Sequence, residues 1–428
     1  MKAVLPSMND SNKVLVVGTT ADYIDWIRRT CPGRALFLTD SSIRHQAREP
    51  KPAPAEEILC DLSNYGQARD NLKRHLRKEC LSLDGITSYD CESLELTAIL
   101  AQDFDLSYPS VEAVSKCRDK GLSKFLWRQN GVNCPRARPV KSVTEAVSFL
   151  NEIRGPCVLK PLSGSGSELI FLCNSEHECK MGFRRITRRL FERRSSRMYK
   201  DYDTDNPLIL VEEFVNGEEF SCDFLIENSR AEVIRLSRKI LTKGGVFGTV
   251  KGYVLPVPLP AQIDPRGFQQ ILLESAGALG ITRAICMLDF LIRGNEIFLL
   301  ELTPRPGGDC LPFLLKRRLG LDILKLNLDF AQKRALRFPE FDNGYPHIGL
   351  RLHADREGIL KRIDVRQLRQ DRRVVEIHLT RSAGHVIRMP PADYDSWVLG
   401  HVIIMPFEET DLETQCDELL SLISVEVE

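Results

Sequence analysis

The sequence predicts a protein of mixed α/β and α+β class with about three units of roughly 150 residues each. Near the N-terminus, short apolar runs alternate with helix-like stretches. The middle of the chain is rich in apolar runs joined by Gly-containing turns, and strand-like runs set off by Gly and Pro return toward the C-terminus. A 43% hydrophobic and 28% charged composition over 428 residues is that of a soluble globular chain and excludes wholesale disorder. The 59 basic residues balance 59 acidic ones, so no global charge points to a nucleic-acid partner. No apolar run reaches the length of about 18 residues that a membrane span needs. Met1 to Pro6 lacks an apolar signal core, and a cytoplasmic protein is expected. The 13 cysteines include no Cys-x-x-Cys pair, which favours reduced, buried thiols. Cys310 alone stands inside a functional-looking motif.

Each element follows from local pattern. Lys13-Val14-Leu15-Val16-Val17-Gly18, a helix-like stretch and Ala35-Leu36-Phe37-Leu38 read as a βαβ unit. One Gly there, in place of G-x-G-x-x-G, argues against a dinucleotide site. Residues 41–56, with Ser41-Ser42 and Pro50, Pro52 and Pro54, read as a loop. Leu122, Phe125 and Leu126 mark a helix that Lys120 enters and Gly131 and Pro135 end.

Cys157-Val158-Leu159-Lys160 then precedes Leu162-Ser163-Gly164-Ser165-Gly166-Ser167 and a second apolar run, Leu169 to Leu172. A loop without large side chains brings successive backbone N–H groups close to phosphate oxygens, and a lysine on the preceding strand supplies the countercharge. No Walker or protein-kinase motif is present. Lys180 to Lys200 holds seven arginines and reads as one strongly basic helix with Phe183, Ile186, Leu190 and Phe191 packed, its charged side a solvated face.

Leu208 to Val211 is a strand that runs into Glu212-Glu213-Phe214-Val215-Asn216-Gly217-Glu218-Glu219. Carboxylates beside a buried strand need donors, and an adenine amino group and ribose hydroxyls would serve. Met287 to Ile292 and Ile297 to Leu302 form the plainest hairpin, each strand apolar apart from one acid. Asp289 and Glu301 share a face only if the loop around Gly294 has odd length, and such a loop is predicted. Two carboxylates on one buried face repel, so one is protonated or a cation lies between them, and for a cation the oxygen-only ligation points to magnesium. Thr303 and Arg305 continue that face. His353, His378 and His385 lie in no motif and read as surface or satisfied core residues.

Taken in order, Arg118-Asp119-Lys120, Val158-Leu159-Lys160-Pro161 with its Ser/Gly loop, Val211-Glu212-Glu213-Phe214, Glu219-Phe220-Ser221, Tyr253 to Pro258 and Glu301 to Asp309 resemble the ATP-grasp enzymes. More narrowly, they are similar to carboxylate-amine ligases of the L-amino acid ligase type. The resemblance implies a Rossmann-like pre-ATP-grasp domain over 1–117, a two-lobed ATP-grasp domain over 118–332 and a smaller C-terminal α+β domain over 333–428. Its lid lobe would be about 118–210 and its catalytic lobe about 211–332. Lys120 and Lys160 would bind ATP phosphates beneath the loop of Ser165, Gly166 and Ser167. Glu212, Glu213, Phe214 and Val215 would form the adenine hinge, with Glu219 on the ribose. Asp289 and Glu301 would hold magnesium, and Arg305 with the Gly308 N–H would stabilise an acyl phosphate. Similar enzymes usually carry Asn where this chain has Thr303, and Glu where it has Asp289. A threonine hydroxyl is the poorer magnesium ligand.

The activity implied is ATP-dependent joining of a small carboxylate to an amine, with ADP and phosphate released. The loop Lys243 to Gly248 reads as a lid over the substrates. Expected partners are the small-molecule carboxylate and amine, with a homodimer or a carrier protein as secondary expectations. The alternative activities are ligation to a carrier-protein thiol and nucleotide binding without turnover.

Overall fold

The computed structural model describes residues 11–199, 202–203, 208–338, 344–408 and 411–428. Lys200 of the basic run and the Met1 to Pro6 stretch lie outside them.

The N-terminal unit runs β1 (Asn12–Val17), α1 (Ala21–Thr30), β2 (Ala35–Asp40), α2 (Ser41–Gln46), β3 (Glu57–Cys60), α3 (Tyr65–Lys78), β4 (Ser82–Thr87), α4 (Leu94–Asp103) and α5 (Val111–Arg118). Its strands form one parallel sheet in the order β3-β2-β1-β4, and the near-continuous apolar runs of β1 and β2 suit strands covered on both faces. The expected βαβ unit is therefore present. The loop predicted over residues 41–56 instead opens with α2, because the Asp40 carboxylate caps the Ser42 N–H at 2.9 Å.

The next unit comprises α6 (Lys120–Gln129), β5 (Ala137–Val140), α7 (Val143–Ile153), β6 (Cys157–Pro161), β7 (Phe171–Cys173), α8 (Glu176–Glu192) and β8 (Ile209–Glu213). Its antiparallel sheet is ordered β5-β8-β6-β7. β8 belongs wholly to this sheet, and β9, which follows residues 214–217, belongs to another. α8 ends at Glu192, short of the predicted basic helix. Phe191 is 50% exposed under the Arg194 guanidinium instead of packed.

The remaining elements are β9 (Glu218–Glu227), β10 (Arg230–Leu241), β11 (Val250–Leu255), α9 (Pro265–Ala278), β12 (Ala284–Arg293), β13 (Glu296–Thr303), α10 (Leu311–Leu319), α11 (Ile323–Ala331), β14 (His347–His353), β15 (Gly358–Asp364), α12 (Arg366–Gln370), β16 (Val374–Leu379), β17 (Val386–Ile387), β18 (Val398–Ile404), α13 (Leu412–Ser421) and β19 (Ser424–Val427). Eight of these strands form one sheet in the order β13-β12-β9-β10-β11-β14-β18-β16. The C-terminal region therefore does not keep all its strands to itself. β14 pairs with β11 and extends the sheet that holds β9 to β13, which covers an edge that would otherwise expose unpaired backbone. β15, β17 and β19 make a separate small sheet.

Candidate active site

The β12–β13 hairpin sets the acid pair by a route different from the predicted one. Its turn is the even, two-residue Gly294–Asn295, with Gly294 at φ +61° and Arg293 opposite Glu296. Left alone, that register would put Asp289 and Glu301 on opposite faces. A bulge at Leu300 inserts one residue between the Phe290–Leu299 and Asp289–Glu301 pairs, and the two acids become direct cross-strand partners. The shared face arises, and the odd loop does not.

Each acid is met by a lysine. Lys239 Nζ on β10 reaches Asp289 Oδ2 at 2.8 Å and Glu219 Oε1 at 2.5 Å. Burial opposes the Lys239 charge, but Asp289 and Glu219 more than reverse that and hold the ammonium above its ordinary value. Asp289 Oδ1 is buried and has no hydrogen-bond partner among the described residues. Lys120, at the first turn of α6, lies 3.3 Å from Glu301 Oε1 and donates to Gly164 O at 3.0 Å. Asp119 caps that helix through the Gly121 and Leu122 N–H groups and so presents Lys120 inward.

Glu212 was expected at the adenine edge with ligand groups as its donors. Its side chain instead turns inward between β6 and α6, where Lys160 Nζ donates to Oε1 at 2.7 Å and Lys124 Nζ lies 3.2 Å from Oε2. Burial would raise the Glu212 pKa, yet the two lysines hold it below the usual value. Burial pushes the Lys124 ammonium down, only partly offset by Glu212. Of the expected hinge, the Glu213 and Phe214 N–H groups bond Arg136 O and Pro156 O, and Val215 is buried against Leu291 and Phe298.

Two loops converge on this face. The Ser/Gly loop comes down beside Glu301, so that the space among Gly164, Glu301, Thr303, Cys91 and Arg118 is only about 10 Å³, near the size of a single water. The following strand starts at Phe171, later than predicted, because Ser167 and Leu169 adopt positive φ and extend the turn. The Lys243 to Gly248 loop joins β10 to β11, with Gly244, Gly245 and Gly248 at φ between +72° and +82°. Phe247 packs edge-on against Phe214 at 6.1 Å. A Cβ on Gly248 would lie 3.5 Å from Ser167, so this loop touches both the hinge and the Ser/Gly loop.

Arg305 projects from the end of β13 toward the N-terminal unit, where its Nε and Nη2 lie 3.2 and 3.0 Å from Cys91 Sγ. Gly308 has room for a Cβ, with Arg305 Nη1 at 3.7 Å, whereas at Gly307 it would meet Arg235 Nη2 at 2.4 Å. The indispensable glycine is therefore Gly307. Its N–H donates to Asp223 Oδ1 at 2.9 Å, and Asp223 is locked by Arg235 through Nε to Oδ2 at 2.7 Å and Nη2 to Oδ1 at 3.0 Å. This wholly buried pair fixes the turn that carries Arg305 and Gly308.

Sequence reasoning missed Lys124, Lys239, Cys91 and the Arg235–Asp223 pair. Lys239 carried no distinguishing signal, since β10 also holds Arg230, Glu232, Arg235 and Arg238. Cys310 is buried and its thiol pushed well up, so it offers no thiolate. His385 Nε2 is 2.8 Å from Ser396 O, and His378 lies 3.6 Å from Asp22. Burial takes His353 down to about 3. All thirteen cysteines are free thiols, and no helix among the described residues is long and apolar enough to cross a membrane.

A site of paired acids facing two lysines, flanked by a Gly-rich loop and hung between two sheets, defines a class. Residues 153–312, from the end of α7 to the start of α10, match the family model described as ATP-grasp domain. The chain carries an ATP-grasp domain. It is 28% identical over 286 residues to D-alanine--D-alanine ligase of Paracidovorax citrulli, covering 64% of this chain and 77% of that one. It is 24% identical over 336 residues to human carnosine synthase 1, covering 74% of this chain and 39% of that one. The structure of L-amino acid ligase from Bacillus licheniformis superposes with a TM-score of 0.76 at 18% identity, over 98% of this chain and 99% of that one. Its fold is thus shared over nearly the whole length.

Proposed function

We propose that this protein is an ATP-dependent ligase that joins the carboxylate of an amino acid or related small acid to the amine of another. The observation that carries the reading is the facing pair Asp289 and Glu301, each countered by a lysine, with one Asp289 oxygen left without a partner. That orphaned oxygen and the oxygen-only donor set fit magnesium, with Asp289 and Glu301 as holders and Thr303 beside them. When bound, magnesium supplies positive charge that neutralises phosphate oxygens during transfer. The similarity to D-alanine--D-alanine ligase and carnosine synthase supports ligation between amino acids.

In this reading Lys120 and Lys160 exchange their carboxylate partners for ATP phosphates. Lys120 bridges Gly164 O and Glu301 Oε1, so the loop of Ser165, Gly166 and Ser167 lifts when Lys120 turns to the phosphates. The backbone of Glu213, Phe214 and Val215 lines the adenine edge, Phe247 closes from above, and Glu219 reaches the ribose. Glu212 releases Lys160 to the phosphates, stays beside Lys124 and does not itself touch the base. The substrate carboxylate oxygen attacks the γ-phosphorus and ADP departs, leaving an acyl phosphate. Arg305, backed by Cys91, and the Gly308 N–H stabilise its charge. The amine attacks the carbonyl carbon, phosphate leaves, and the amine proton passes to solvent.

A free small amine suits the surface better than a carrier protein. Arg188 and Arg189 pair with Glu192, Arg193 with Glu168 and Arg197 with Glu92, so much of the basic run is already neutralised. The test is ADP release over a panel of amino-acid pairs, with mass analysis of the product. Phosphate release accompanied by a condensed product is expected, and Lys160→Met should abolish it. Protection of the fold by ATP with no turnover on any pair would overturn the ligase reading in favour of a nucleotide-binding regulator.

A further inference from the structure

A cavity of about 1040 Å³ lies apart from the acid pair, neither Asp289 nor Glu301 lining it. It lies behind β10. Side chains alternate along a strand, so while Lys239 faces Asp289, its neighbour Arg238 faces the other way, into this cavity. The walls are the 242–249 loop on one side and, on the other, Trp397 and Leu399 of the C-terminal region with α13 beyond. Two ion pairs tie these walls across the rim, Lys251 to Asp417 at 2.6 Å and Lys243 to Glu413 at 2.5 Å. The cationic groups lining the space are thus mostly matched. Arg238 is the exception, with no hydrogen bond or ion pair among the described residues. On the Arg351 side of the cavity His353 meets Trp397 at a tilt, ring centroids 4.5 Å apart, and its buried Nε2 has no partner among the described residues. A guanidinium that seeks an anion, an aromatic floor and an unsatisfied polar nitrogen are what a pocket for an organic acid requires.

We propose that this cavity is a second small-molecule site, taking an amphipathic carboxylate of amino-acid to dipeptide size, its carboxylate on Arg238 and its apolar body against Trp397 and Leu399. The volume is at the upper end for small-ligand pockets, ample for such a molecule. The site communicates with the nucleotide face through a shared wall. The 242–249 loop presents Val246 and Thr249 to the cavity and Phe247 and Gly248 to Phe214 and Ser167. A ligand that orders this loop from behind therefore tightens ATP binding in front. That coupling rests on the nucleotide reading above, whereas carboxylate binding does not.

The test is calorimetric titration of the full chain, without ATP, using N-acetyl-L-phenylalanine, hexanoate and indole-3-acetate, with N-acetyl-L-phenylalanine amide as the uncharged control. At least one acid should bind, and the amide about tenfold more weakly or worse, as expected for loss of a charge-assisted bond. Arg238→Gln should weaken the acid by a similar factor while melting with the parent, and Trp397→Leu should weaken acid and amide alike. Arg305→Gln, on the catalytic side, should leave the titration unchanged. Failure of all three acids to bind overturns the proposal, as does binding that survives Arg238→Gln and is lost in Arg305→Gln. The coupling is read separately, as a lower ATP dissociation constant when the acid is present. If the acids bind and that constant is unmoved, the shared-wall argument fails and the site remains.

Discussion

Strand β10 carries two inward-facing cations, Arg235 and Lys239, whose ion pairs differ in character. Arg235 and Asp223 are both 0% exposed, and both carboxylate oxygens are engaged, Oδ1 by Arg235 and the Gly307 N–H and Oδ2 by Arg235 alone. Lys239 and Asp289 sit at the cleft, with the acid 20% exposed and one oxygen unmatched. A planar guanidinium saturates its partner and leaves nothing for a ligand, whereas an ammonium is a point charge that can be shared or displaced. The saturated pair therefore belongs to the architecture of the Gly307 turn, and the unsaturated one to chemistry.

The contrast breaks most visibly under Arg235→Met. That change strands the Asp223 charge in the interior, where burial already pushes its carboxyl upward, and should cost about 3–5 kcal/mol in urea unfolding. Asp289→Asn should be its mirror image. Turnover should fall about 100-fold for loss of one electrostatic stabiliser, while unfolding free energy stays within about 1 kcal/mol, since Lys239 keeps Glu219. If the two variants destabilise equally, the distinction between them is lost. The smallest effect sharpens the picture between β6 and α6. Glu212 is held below the ordinary carboxylate range, so the unfolded chain takes up this proton first as pH falls. Its contribution is complete above the unfolded pKa and disappears as pH drops through the lower folded one. The melting temperature should therefore fall below about pH 4, and Glu212→Gln should flatten that slope.

Local pattern made much of the site readable. Lys160 on an apolar strand before a Ser/Gly run, and one acid in each strand of a Gly-turned hairpin, are signals within a few residues of one another. The bulge at Leu300 was not readable, because nothing in Leu299-Leu300-Glu301 distinguishes the residue that drops out of the ladder. The Arg305 contact to Cys91 spans 214 residues, and Lys239 meets Asp289 across 50. No periodicity reports such separations. The merging of β14, β16 and β18 into the sheet that holds β9 to β13 was hidden for the same reason, since strand patterns do not say which edge a strand will join.

By itself the amino-acid order determined which segments are strands and helices, where the flexible glycine loops fall and which residues bring charge to buried positions. These follow from steric preference and from alternation along a few residues. Only the tertiary structure decided which lysine answers which acid, that Glu212 faces inward and that Arg238 is left over on the far face. Partner choice is settled by the register between distant strands, and that register is selected by burial of the whole core.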